Sequence, residues 1–361
     1  MKFSVIAAND LDRSLIEKWK LIRASDDSLR SPYYCPEFTQ SVAACGRDVK
    51  VAVMESSHGV TGFFPYECGS LGKVLPVGGG LNDYHGAISL PGTVFDPVQL
   101  LKACGGRYFA FNHMPLSQAA FLPYVRIHHQ SPVMALDGGL GAYMKRLGIA
   151  QNKSTPGIFA AVRASTKRLE RDVGPLRFEI QERSPALLDT VMRLKTEQRV
   201  RMGGGSDPFA LKWVRQLLNE CLNRQDPAFK GALCALYAGD HLVACHFGLQ
   251  ASNTLHYWFP VYEVSYADYT PGLIMLMKLA EQGCQNGIDL IDLGRGVQAY
   301  KTRFCTGSVE LGEGALSSPM VLAQAVAAAK TGKTFIKSNP QVQRFRKWLA
   351  ARKKDKSNAL Q

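Results

Sequence analysis

The sequence predicts an α+β protein with mixed, mainly antiparallel sheets flanked by helices. Short segments with an apolar residue at every second position recur along the chain and indicate strands. Segments with apolar residues three or four apart lie between them and indicate helices. Three consecutive strand-like segments are joined by short turns at Gly239–Asp240 and Ser252–Asn253, a pattern typical of an antiparallel meander.

The chain has 361 residues, of which 46% are hydrophobic and 20% charged. This length favours two domains, and the composition excludes wholesale disorder and fibrous repeats. No apolar run approaches the roughly 18 residues of a membrane-spanning helix. The N-terminal apolar stretch is too short for the core of a signal peptide, so we expect a cytoplasmic protein.

The first half, residues 1–150, contains the strands and helices of a predicted first domain. Helical periodicity runs from Leu11 to Ala24, and Pro36 begins a short helix. The segments VKVAVMES and GVTGFFPYE predict a hairpin. The glycine-rich stretch PVGGGLNDYHGAISLPG lacks the spacing of a phosphate-binding or dinucleotide-binding loop. A short helix at 97–103 and the strand RYFAFNHM follow.

The second half, residues 151–325, begins with a basic helix and a helix over LLDTVMRLKTEQRVR. The segment DPFALKWVRQLLNECLNR predicts one helix with Asp207 as its N-cap. The meander comprises GALCALYA, HLVACHFGLQ and TLHYWFPVY, and a buried strand, GIDLIDLG, comes later. Strand alternation predicts that Tyr257 and Phe259 share one face and that His256 and Trp258 share the other.

Pro260 predicts a cleft in this second half. Proline has no amide hydrogen, so strand pairing is expected to fail there and the strand to splay from its neighbour. The next helix, with Thr270 as N-cap and Pro271 in its first turn, is apolar nearly all round. Its free amides and positive end are expected to point at the cleft, where they suit a phosphate or an oxyanion.

The net charge of +13 is concentrated near the C-terminus. Residues 330–361 contain seven lysines and three arginines against one aspartate, and Val342, Phe345 and Trp348 share a helical face. Residues 326–361 are therefore predicted to form a basic amphipathic tail that suits an anionic membrane surface. A solvated tail without a partner is the alternative. No nucleic-acid-binding motif accompanies the charge.

Cysteine and histidine patterns argue against several classes of site. The nine cysteines include no C-x-x-C pair, and most lie in apolar segments, as small hydrophobic residues do. His128 and His129 are adjacent and project to opposite sides of a strand, so no metal site is expected. G-x-S-x-G, the nucleophile motif of many hydrolases, does not occur.

HFGLQASNTLHYWFPVYEVSYADYTPGLIMLMKLAEQG, followed by IDLIDLGRGVQAYK, resembles the acetyltransferase-like domain of the cellulose-biosynthesis-associated acyltransferase family. That family belongs to the GCN5-related N-acetyltransferase (GNAT) superfamily. SPYYCPEFTQSVA and PVGGGLNDYHGAI are also similar to it, and the resemblance extends over about residues 31–304. It implies tandem GNAT-like acyl-CoA N-acyltransferase domains over 1–150 and 151–325, with the reaction cleft mainly in the second.

The resemblance also implies acyl transfer from a thioester in exopolysaccharide, cellulose or cell-envelope biosynthesis. Acyl-CoA would be a co-substrate, and no cofactor would be tightly bound. The superfamily's usual pyrophosphate loop, Arg/Gln-x-x-Gly-x-Gly/Ala, is replaced by residues 269–272, Tyr-Thr-Pro-Gly. An acyl-carrier protein therefore stays open as donor, as does aminoacyl-tRNA, which fold-related peptidoglycan-bridge enzymes use.

Acyl transfer to an amine needs a polarised carbonyl, a base and an acid for the leaving thiolate. His246 is the expected base because the usual pKa of histidine lies near neutrality, with a hydrogen-bonded core histidine as the alternative. Tyr269 and Tyr300 are expected to protonate the thiolate. Asp292, at the end of an apolar strand, should be paired or have a raised pKa, and an ion pair with Arg295 is the alternative.

Further residues are expected to bind the two substrates. The expected donor phosphate ligands stand at the helix start and around the RG loop, and they are Thr270, Gly272, Arg295 and Lys301. The expected acceptor groove and cleft walls comprise Asp83, Tyr84, His85, Tyr257 and Trp258. The alternatives are surface charge for the cations, an Asx-turn without ligand for the loop, and core packing for the aromatic residues.

The sequence therefore predicts an acyltransferase in the cytoplasm, resting on the inner membrane through its tail. It would transfer an acyl group, acetyl in the simplest case, to an amine or hydroxyl of an envelope sugar or lipid-linked precursor. One alternative is aminoacyl transfer from tRNA, bound by the basic helix at 153–171. The other is a non-catalytic accessory protein of polysaccharide synthesis.

Overall fold

The computed structural model describes residues 1–150, 157–224, 226–296 and 298–318. The predicted tail over residues 326–361 lies outside these described residues. Among the helices that the structure describes, none combines the length and apolar character needed to cross a bilayer.

Helices occur in both halves of the chain, at most of the places where the sequence predicts them. In chain order they are α1 (Arg13–Ala24), α2 (Pro36–Ala44), α3 (Pro97–Ala103), α4 (Gly139–Ala150), α5 (Gly157–Asp172), α6 (Pro185–Arg201), α7 (Lys212–Asn223), α8 (Pro271–Gln282) and α9 (Ala299–Phe304). Short 3₁₀ turns connect several of them, including one over Val264–Tyr269 directly before α8.

Thirteen strands of the described residues form one continuous sheet. In chain order they are β1 (Lys2–Ala7), β2 (Val49–Ser56), β3 (Gly59–Cys68), β4 (Lys73–Leu75), β5 (Ile88–Ser89), β6 (Tyr108–Pro115), β7 (Val125–Ala135), β8 (Leu176–Glu182), β9 (Lys230–Ala238), β10 (His241–Ala251), β11 (Thr254–Tyr262), β12 (Leu290–Asp292) and β13 (Gly307–Ser317). Their order across the sheet is β1-β2-β3-β4-β6-β13-β7-β12-β11-β10-β9-β8, with β5 beside β3.

The two halves of the chain are joined through the middle of this sheet. β13, from the second half, lies between β6 and β7 of the first half and is antiparallel to both. β7 in turn pairs with β12. The strands are mainly antiparallel, and the parallel pairs are β4 with β6 and β11 with β12. The proposed boundary near residue 150 therefore separates strands that share hydrogen bonds, and the division into two domains stays a prediction.

Within the described part of the chain, buried apolar side chains form three clusters around the sheet. The largest combines α1 and α2 of the first half with α6 and α7 of the second, so Trp19 and Phe38 belong to the same core as Leu217 and Phe247. A second cluster covers the other face of the second half under α4, α5 and α8. The third fills the first half around Phe109 and Phe121. Burial of these faces is the main stabilising contribution to the fold.

The prediction of one helix over residues 207–224 is wrong. Asp207 does accept a hydrogen bond, from the amide of Phe209, but only a 3₁₀ turn, Pro208–Ala210, follows it. α7 begins separately at Lys212. The side chain of Phe209 is buried and its ring lies 5.2 Å from that of Phe259, and this packing accompanies the break between the turn and the helix.

The prediction that Tyr257 and Phe259 share a face is also wrong, because a β-bulge interrupts β11. Phe247 pairs with Phe259 but Leu249 pairs with His256, so two residues of β11 lie opposite Gly248 alone. Phe259 therefore packs into the largest cluster and Tyr257 into the second. A Cβ on Gly248 would lie 2.3 Å from the His256 carbonyl oxygen, so the bulge depends on glycine here.

The splay occurs near Pro260, but on a different side and by a different cause from those predicted. Pro260 remains in register with His246 of β10. On its other edge β11 pairs with β12 only from Thr254–Leu290 to His256–Asp292, and the two strands separate beyond that point. The gap opens because β12 ends at Asp292 while β11 continues to Tyr262.

The start of α8 differs from the expected cap. The helix does begin at Pro271, but the Thr270 side chain makes no capping hydrogen bond, and its backbone is left-handed with φ of 52°. The Thr270 hydroxyl instead lies 3.2 Å from the Ser165 hydroxyl of α5. The N-terminus of α8 therefore packs beside the basic helix α5.

Candidate active site

A polar cavity of about 280 Å³ occupies the gap between the diverging strands β11 and β12. We call it the splay cavity. Its floor and walls come from β11, α6, α9, the loop after β12 and the loop of residue 83. The lining residues are Asp83, His113, Lys195, Tyr257, Trp258, Pro260, Leu293, Gly294, Arg295, Gln298, Tyr300 and Lys301.

His256 lies next to this cavity between two carboxylates. Its Nε2 is 3.0 Å from Asp83 Oδ2, and its Nδ1 is 3.9 Å from Asp292 Oδ1. Burial alone would lower the pKa of this histidine, but the contacts with Asp292 and Asp83 outweigh burial and raise it to about 9. His256 is therefore protonated at neutral pH and its Nε2 donates to Asp83.

Asp292 has four polar neighbours, of which Tyr84, Ser131 and His256 come from distant parts of the chain. It accepts hydrogen bonds from the Tyr84 hydroxyl, from Ser131 Oγ at 2.5 Å and from the Gly294 amide at 2.8 Å. Burial would raise the pKa of this carboxyl, but His256 and the hydroxyl donors lower it to about 2. The expectation of a paired carboxylate fits this environment, although its cationic neighbour is His256.

Arg295, the partner that the sequence offered for Asp292, points elsewhere. Its guanidinium donates to the Asn112 carbonyl at 2.7 Å and lies 3.5 Å from Glu313. It still lines the splay cavity.

Lys301 braces the loop that follows β12. Its ammonium donates to the carbonyl oxygens of Gly294 at 2.8 Å and Arg295 at 3.1 Å. Gly294 adopts φ of 74°, which glycine tolerates without strain. Burial lowers the pKa of Lys301 to about 8. A lysine that is 5% exposed thus fixes the loop and presents its charge to the cavity.

Lys195 of α6, which the sequence does not identify as a candidate, also lines the splay cavity. Its ammonium donates to the Pro260 carbonyl at 3.3 Å. Burial, reinforced by the charges of Arg199 and Lys301, lowers its pKa to about 8. In the sequence it stands among several other charged residues of one helix, and no pattern there separates it from the solvent-facing ones.

His246, the expected base, does not line the splay cavity. Its ring is fully buried and stacks on Tyr257 with 4.1 Å between ring centroids. Neither ring nitrogen has a hydrogen-bond partner among the residues that the structure describes, and burial lowers the pKa of His246 well below the usual value. It stacks on Tyr257, which does line the cavity.

The two candidate tyrosine acids occupy different places. Tyr300 lines the splay cavity, and burial raises its pKa to about 12. Tyr269 lies outside the lining. Its hydroxyl donates to Asp172 at 3.2 Å, and the Arg168 guanidinium lies over its ring at 4.8 Å. Thr270 and Gly272 share this location at the start of α8 and are not among the lining residues.

The loop of residues 82–85 contributes to the site unequally. Asp83 lines the splay cavity and Tyr84 binds Asp292. His85 is buried away from the lining, with Nε2 3.0 Å from the Asn82 carbonyl, and burial lowers its pKa to about 3. Tyr257 and Trp258 both wall the cavity, as the bulge opposite Gly248 directs them.

From the sequence alone His246 is the expected base rather than His256, and no sequence pattern distinguishes Ser131 or His113. The parallel pairing of β11 with β12 is the missing information, because it sets His256 directly beside Asp292. His113 lies 3.3 Å from Asp83, and burial lowers its pKa to about 4. Those contacts join segments far apart in sequence, and no local motif predicts them.

Comparison with known protein families identifies the fold. Residues 159–302 match the acetyltransferase (GNAT) domain family. The fold is GNAT-like, and the predicted fold class is confirmed. The match covers less than half of the chain, from α5 to α9, and includes both strands of the splay. This match identifies a GNAT domain but does not test the more specific resemblance to cellulose-associated acyltransferases.

Two solved structures of similar fold cover most of the chain. FemX superimposes with a TM-score of 0.56 at 9% identity, over 87% of this chain and 96% of that one. A C-terminal domain ascribed to a lysylphosphatidylglycerol synthetase of Agrobacterium fabrum gives a TM-score of 0.52 at 15% identity, over 89% and 95%. At these identities the likeness is one of fold. Comparison with curated protein sequences found no match.

The charged side chains that line the splay cavity determine which chemistry the site can support. Among the described residues, the cavity presents three cationic side chains, Lys195, Arg295 and Lys301, against one carboxylate, Asp83, which already contacts two histidines. Such an environment attracts anionic groups and stabilises a developing oxyanion. The GNAT domain match indicates an acyltransferase.

Proposed function

We propose that this protein transfers an acyl group from a thioester donor, such as acyl-CoA, to an amine or hydroxyl of a cell-envelope or exopolysaccharide precursor. The observation that carries the proposal is the cationic splay cavity between β11 and β12 within the matched GNAT domain. The similarity of the sequence to cellulose-associated acyltransferases supports the envelope setting. A peripheral position at the inner membrane, through residues 326–361, belongs to the same proposal.

The donor would place its thioester in the splay cavity. The acceptor attacks the carbonyl carbon, a C–N or C–O bond forms, the C–S bond breaks, and the proton that the acceptor loses ends on the thiol. Lys301 would stabilise the oxyanion, and Arg295, with Thr270 and Gly272 at the start of α8, would hold donor phosphates.

Proton transfer has candidates inside the cavity. Tyr300 would protonate the leaving thiolate. Lys195 suits the base, because a pKa of about 8 leaves a fraction of its amines neutral near physiological pH. Asp292 would act as a positioning residue by orienting His256. His246 would position Tyr257 by stacking on its ring.

Calorimetric titration with acetyl-CoA, a long-chain acyl-CoA and free CoA tests the donor assignment. We expect saturable binding that weakens at least about ten-fold in Lys301→Met, because removing a buried cation beside an anion costs more than about 1.4 kcal/mol. Lys212→Met, at the exposed start of α7, is the matched control and should bind normally. Absence of binding to all three compounds would exclude a CoA donor.

Aminoacyl transfer from charged tRNA is the second candidate. The basic side chains Arg163, Lys167, Arg168 and Arg171 are exposed along α5, next to the start of α8. One structural neighbour is ascribed to synthesis of lysylphosphatidylglycerol, a lipid with an aminoacyl group. This candidate predicts tRNA binding that falls steeply with salt and weakens in Arg163→Gln/Lys167→Gln. It predicts no response to CoA.

Cellular complementation distinguishes a non-catalytic accessory role in polysaccharide synthesis from the catalytic proposal. It predicts that Lys301→Met and His246→Ala retain function in the cell, whereas deletion of residues 330–361 abolishes it. The catalytic proposal predicts loss of function in Lys301→Met.

A further inference from the structure

Lys195 of α6 places an amine inside the cavity where the thioester of the proposed donor would react. Its side chain lines the splay cavity together with Tyr257, Tyr300 and Lys301. The cavity volume of about 280 Å³ is close to the lower limit of small-molecule sites, about 300 Å³. A thioester bound in so small a space is within reach of a flexible lysine side chain on its wall.

The Lys195 ammonium is held more loosely than the Lys301 ammonium. A lysine ammonium has three donor hydrogens. Within the described part of the chain Lys195 uses one of them, on the Pro260 carbonyl at the long distance of 3.3 Å. Lys301 uses two, on the carbonyl oxygens of Gly294 at 2.8 Å and Arg295 at 3.1 Å. Lys195 is therefore the freer of the two amines to turn toward a ligand.

The surroundings of Lys195 also favour loss of its proton. Burial, reinforced by the positive charges of Arg199 and Lys301, lowers the pKa of Lys195 to about 8. At Lys301, by contrast, the carboxylates Asp292 and Asp83 oppose the effect of burial on the pKa. The neutral amine is the nucleophilic form of lysine. With a pKa of about 8, about one Lys195 side chain in ten is neutral at pH 7.

We propose that Lys195 is a self-acylation site, to which the bound thioester donor transfers its acyl group when no acceptor is present. This inference rests on the proposed acyl transfer and adds a covalent modification that regulates it. The Lys195 nitrogen attacks the carbonyl carbon, the C–N bond forms and the C–S bond breaks. Of the two protons that the ammonium loses, one goes to the leaving thiolate and the other to solvent.

Acylation of Lys195 inactivates the site. The product is an amide, which carries no charge and has no basic lone pair, so Lys195 no longer serves as the base. The amide also fills part of the cavity and removes one of the cations that attract an anionic donor. A chain that meets donor without acceptor thus stops consuming it, and hydrolysis of the acyl-lysine amide is the class of reaction that restores activity.

Incubation of the full chain with acetyl-CoA and no acceptor, followed by tryptic peptide mapping, tests this proposal. Trypsin does not cleave after acetyl-lysine, so acetylated Lys195 appears in an uncleaved peptide of residues 194–199. We expect its formation to saturate with acetyl-CoA concentration and to fall at least about ten-fold under excess free CoA. The exposed residues Lys102 and Lys212 are internal controls. Their slower acetylation should rise linearly with acetyl-CoA and should not respond to free CoA.

Two arginine substitutions separate Lys195 from nonspecific labelling. Lys195→Arg keeps the positive charge but removes the acylable amine, and it should lose the saturable acetylation. Lys212→Arg, the matched control, should retain it. Calorimetric titration of the acetylated parent, after removal of the donor, should give a number of acetyl-CoA sites reduced in proportion to the acetylated fraction. An unchanged number of sites would overturn the inactivation.

The outcomes separate this inference from the proposed function. If acetyl-CoA binds but Lys195 stays unmodified, or if Lys301 is acetylated in its place, self-acylation of Lys195 is overturned and the acyltransferase proposal stands. Acetylation of Lys195 that is linear in acetyl-CoA and indifferent to free CoA, as at Lys212, would overturn it equally. If acetyl-CoA neither binds nor modifies the chain, the thioester donor itself falls. Because peptide mapping uses the parent chain, misfolding of a variant does not remove the test.

Discussion

At the scale of single residues, His256 and its two carboxylates make stability depend on pH at both extremes. The folded-state pKa of His256 is raised to about 9, so its contribution is complete below its usual pKa of about 6.5. It is lost as the pH rises through about 9. Asp292, with a pKa lowered to about 2, contributes above its usual value of about 3.9 and loses this contribution as the pH falls through about 2.

Denaturant unfolding at a series of pH values between neutrality and pH 10 measures the alkaline effect. We expect the parent chain to lose stability over this range, and His256→Gln to lose less. His128→Gln, an exposed histidine of β7, is the control and should follow the parent. Identical pH profiles for the parent and His256→Gln would show that the ion pairs of His256 do not contribute to the free energy of unfolding.

Asp83→Asn tests the role of the loop carboxylate in holding the His256 charge. Removing one of two anionic partners while burial persists should lower the pKa of His256 below about 9. NMR titration of the imidazole C–H signals measures this directly. Asp27→Asn, whose side chain is 95% exposed, should leave the pKa of His256 where it is in the parent.

At the scale of elements, the bulge in β11 directs the aromatic walls of the cavity and depends on Gly248. A Cβ there would meet the His256 carbonyl at 2.3 Å and His246 Cε1 at 2.7 Å. Gly248→Ala should therefore lower the free energy of unfolding by about 1–3 kcal/mol, as overpacking in cores does. Gly141→Ala in α4 would place a Cβ more than 4 Å from the described residues beyond its chain neighbours and the backbone of its own helix and should raise the free energy of unfolding by up to about 1 kcal/mol.

Chemical denaturation of these two glycine variants gives both values. Equal stability of Gly248→Ala and the parent would mean that β11 can keep its register without the bulge. A change in the near-UV circular dichroism of Gly248→Ala is also expected, because Tyr257 and Trp258 lie opposite this glycine.

The elements that sequence predicts well here are those with local signals. α1, α2 and α3, the hairpin of β2 with β3 and the meander β9–β11 lie near their predicted positions. Pro36, Pro97 and Pro271 stand at predicted helix starts. The bulge opposite Gly248 and the three-residue length of β12 depend on neighbouring strands, and alternation along a single strand carries no information about them.

The residues of the candidate site also divide into those with a local sequence signal and those that depend on distant parts of the chain. Asp83, Lys301, Arg295 and Tyr300 were expected near the reaction from loop composition, and all four line the splay cavity. Their roles stay predictions. Lys195 and His256 become visible only when α6 and the β11–β12 pairing are known, because their environments are built by residues distant in sequence.

At the scale of the whole molecule, the shared strand β13 makes the two halves depend on each other. It supplies hydrogen bonds to both β6 and β7, and Leu311 on it belongs to the largest core cluster. We therefore expect one cooperative unfolding transition, with calorimetric and van't Hoff enthalpies in agreement. Two separated transitions in the calorimeter would show that the halves unfold independently.

Membrane association is a separate whole-molecule prediction that rests on the sequence of the C-terminal tail. Deleting residues 330–361 removes a net charge of nine and should abolish binding to vesicles rich in phosphatidylglycerol. Sedimentation with such vesicles, and with neutral phosphatidylcholine vesicles as the control, measures the effect. Undiminished sedimentation of the truncated chain would assign any membrane affinity to another surface.

The position of β13 also determines when the protein can fold during synthesis. A ribosome completes β7 at Ala135 but releases the strand that fits between β6 and β7 about 180 residues later. At about 5–20 residues per second, the nascent chain spends roughly 10–40 s with two facing strand edges unpaired. Such edges are templates for aggregation. Codon usage and chaperone supply between these two points should therefore govern the yield of soluble protein more than the stability of the finished fold does.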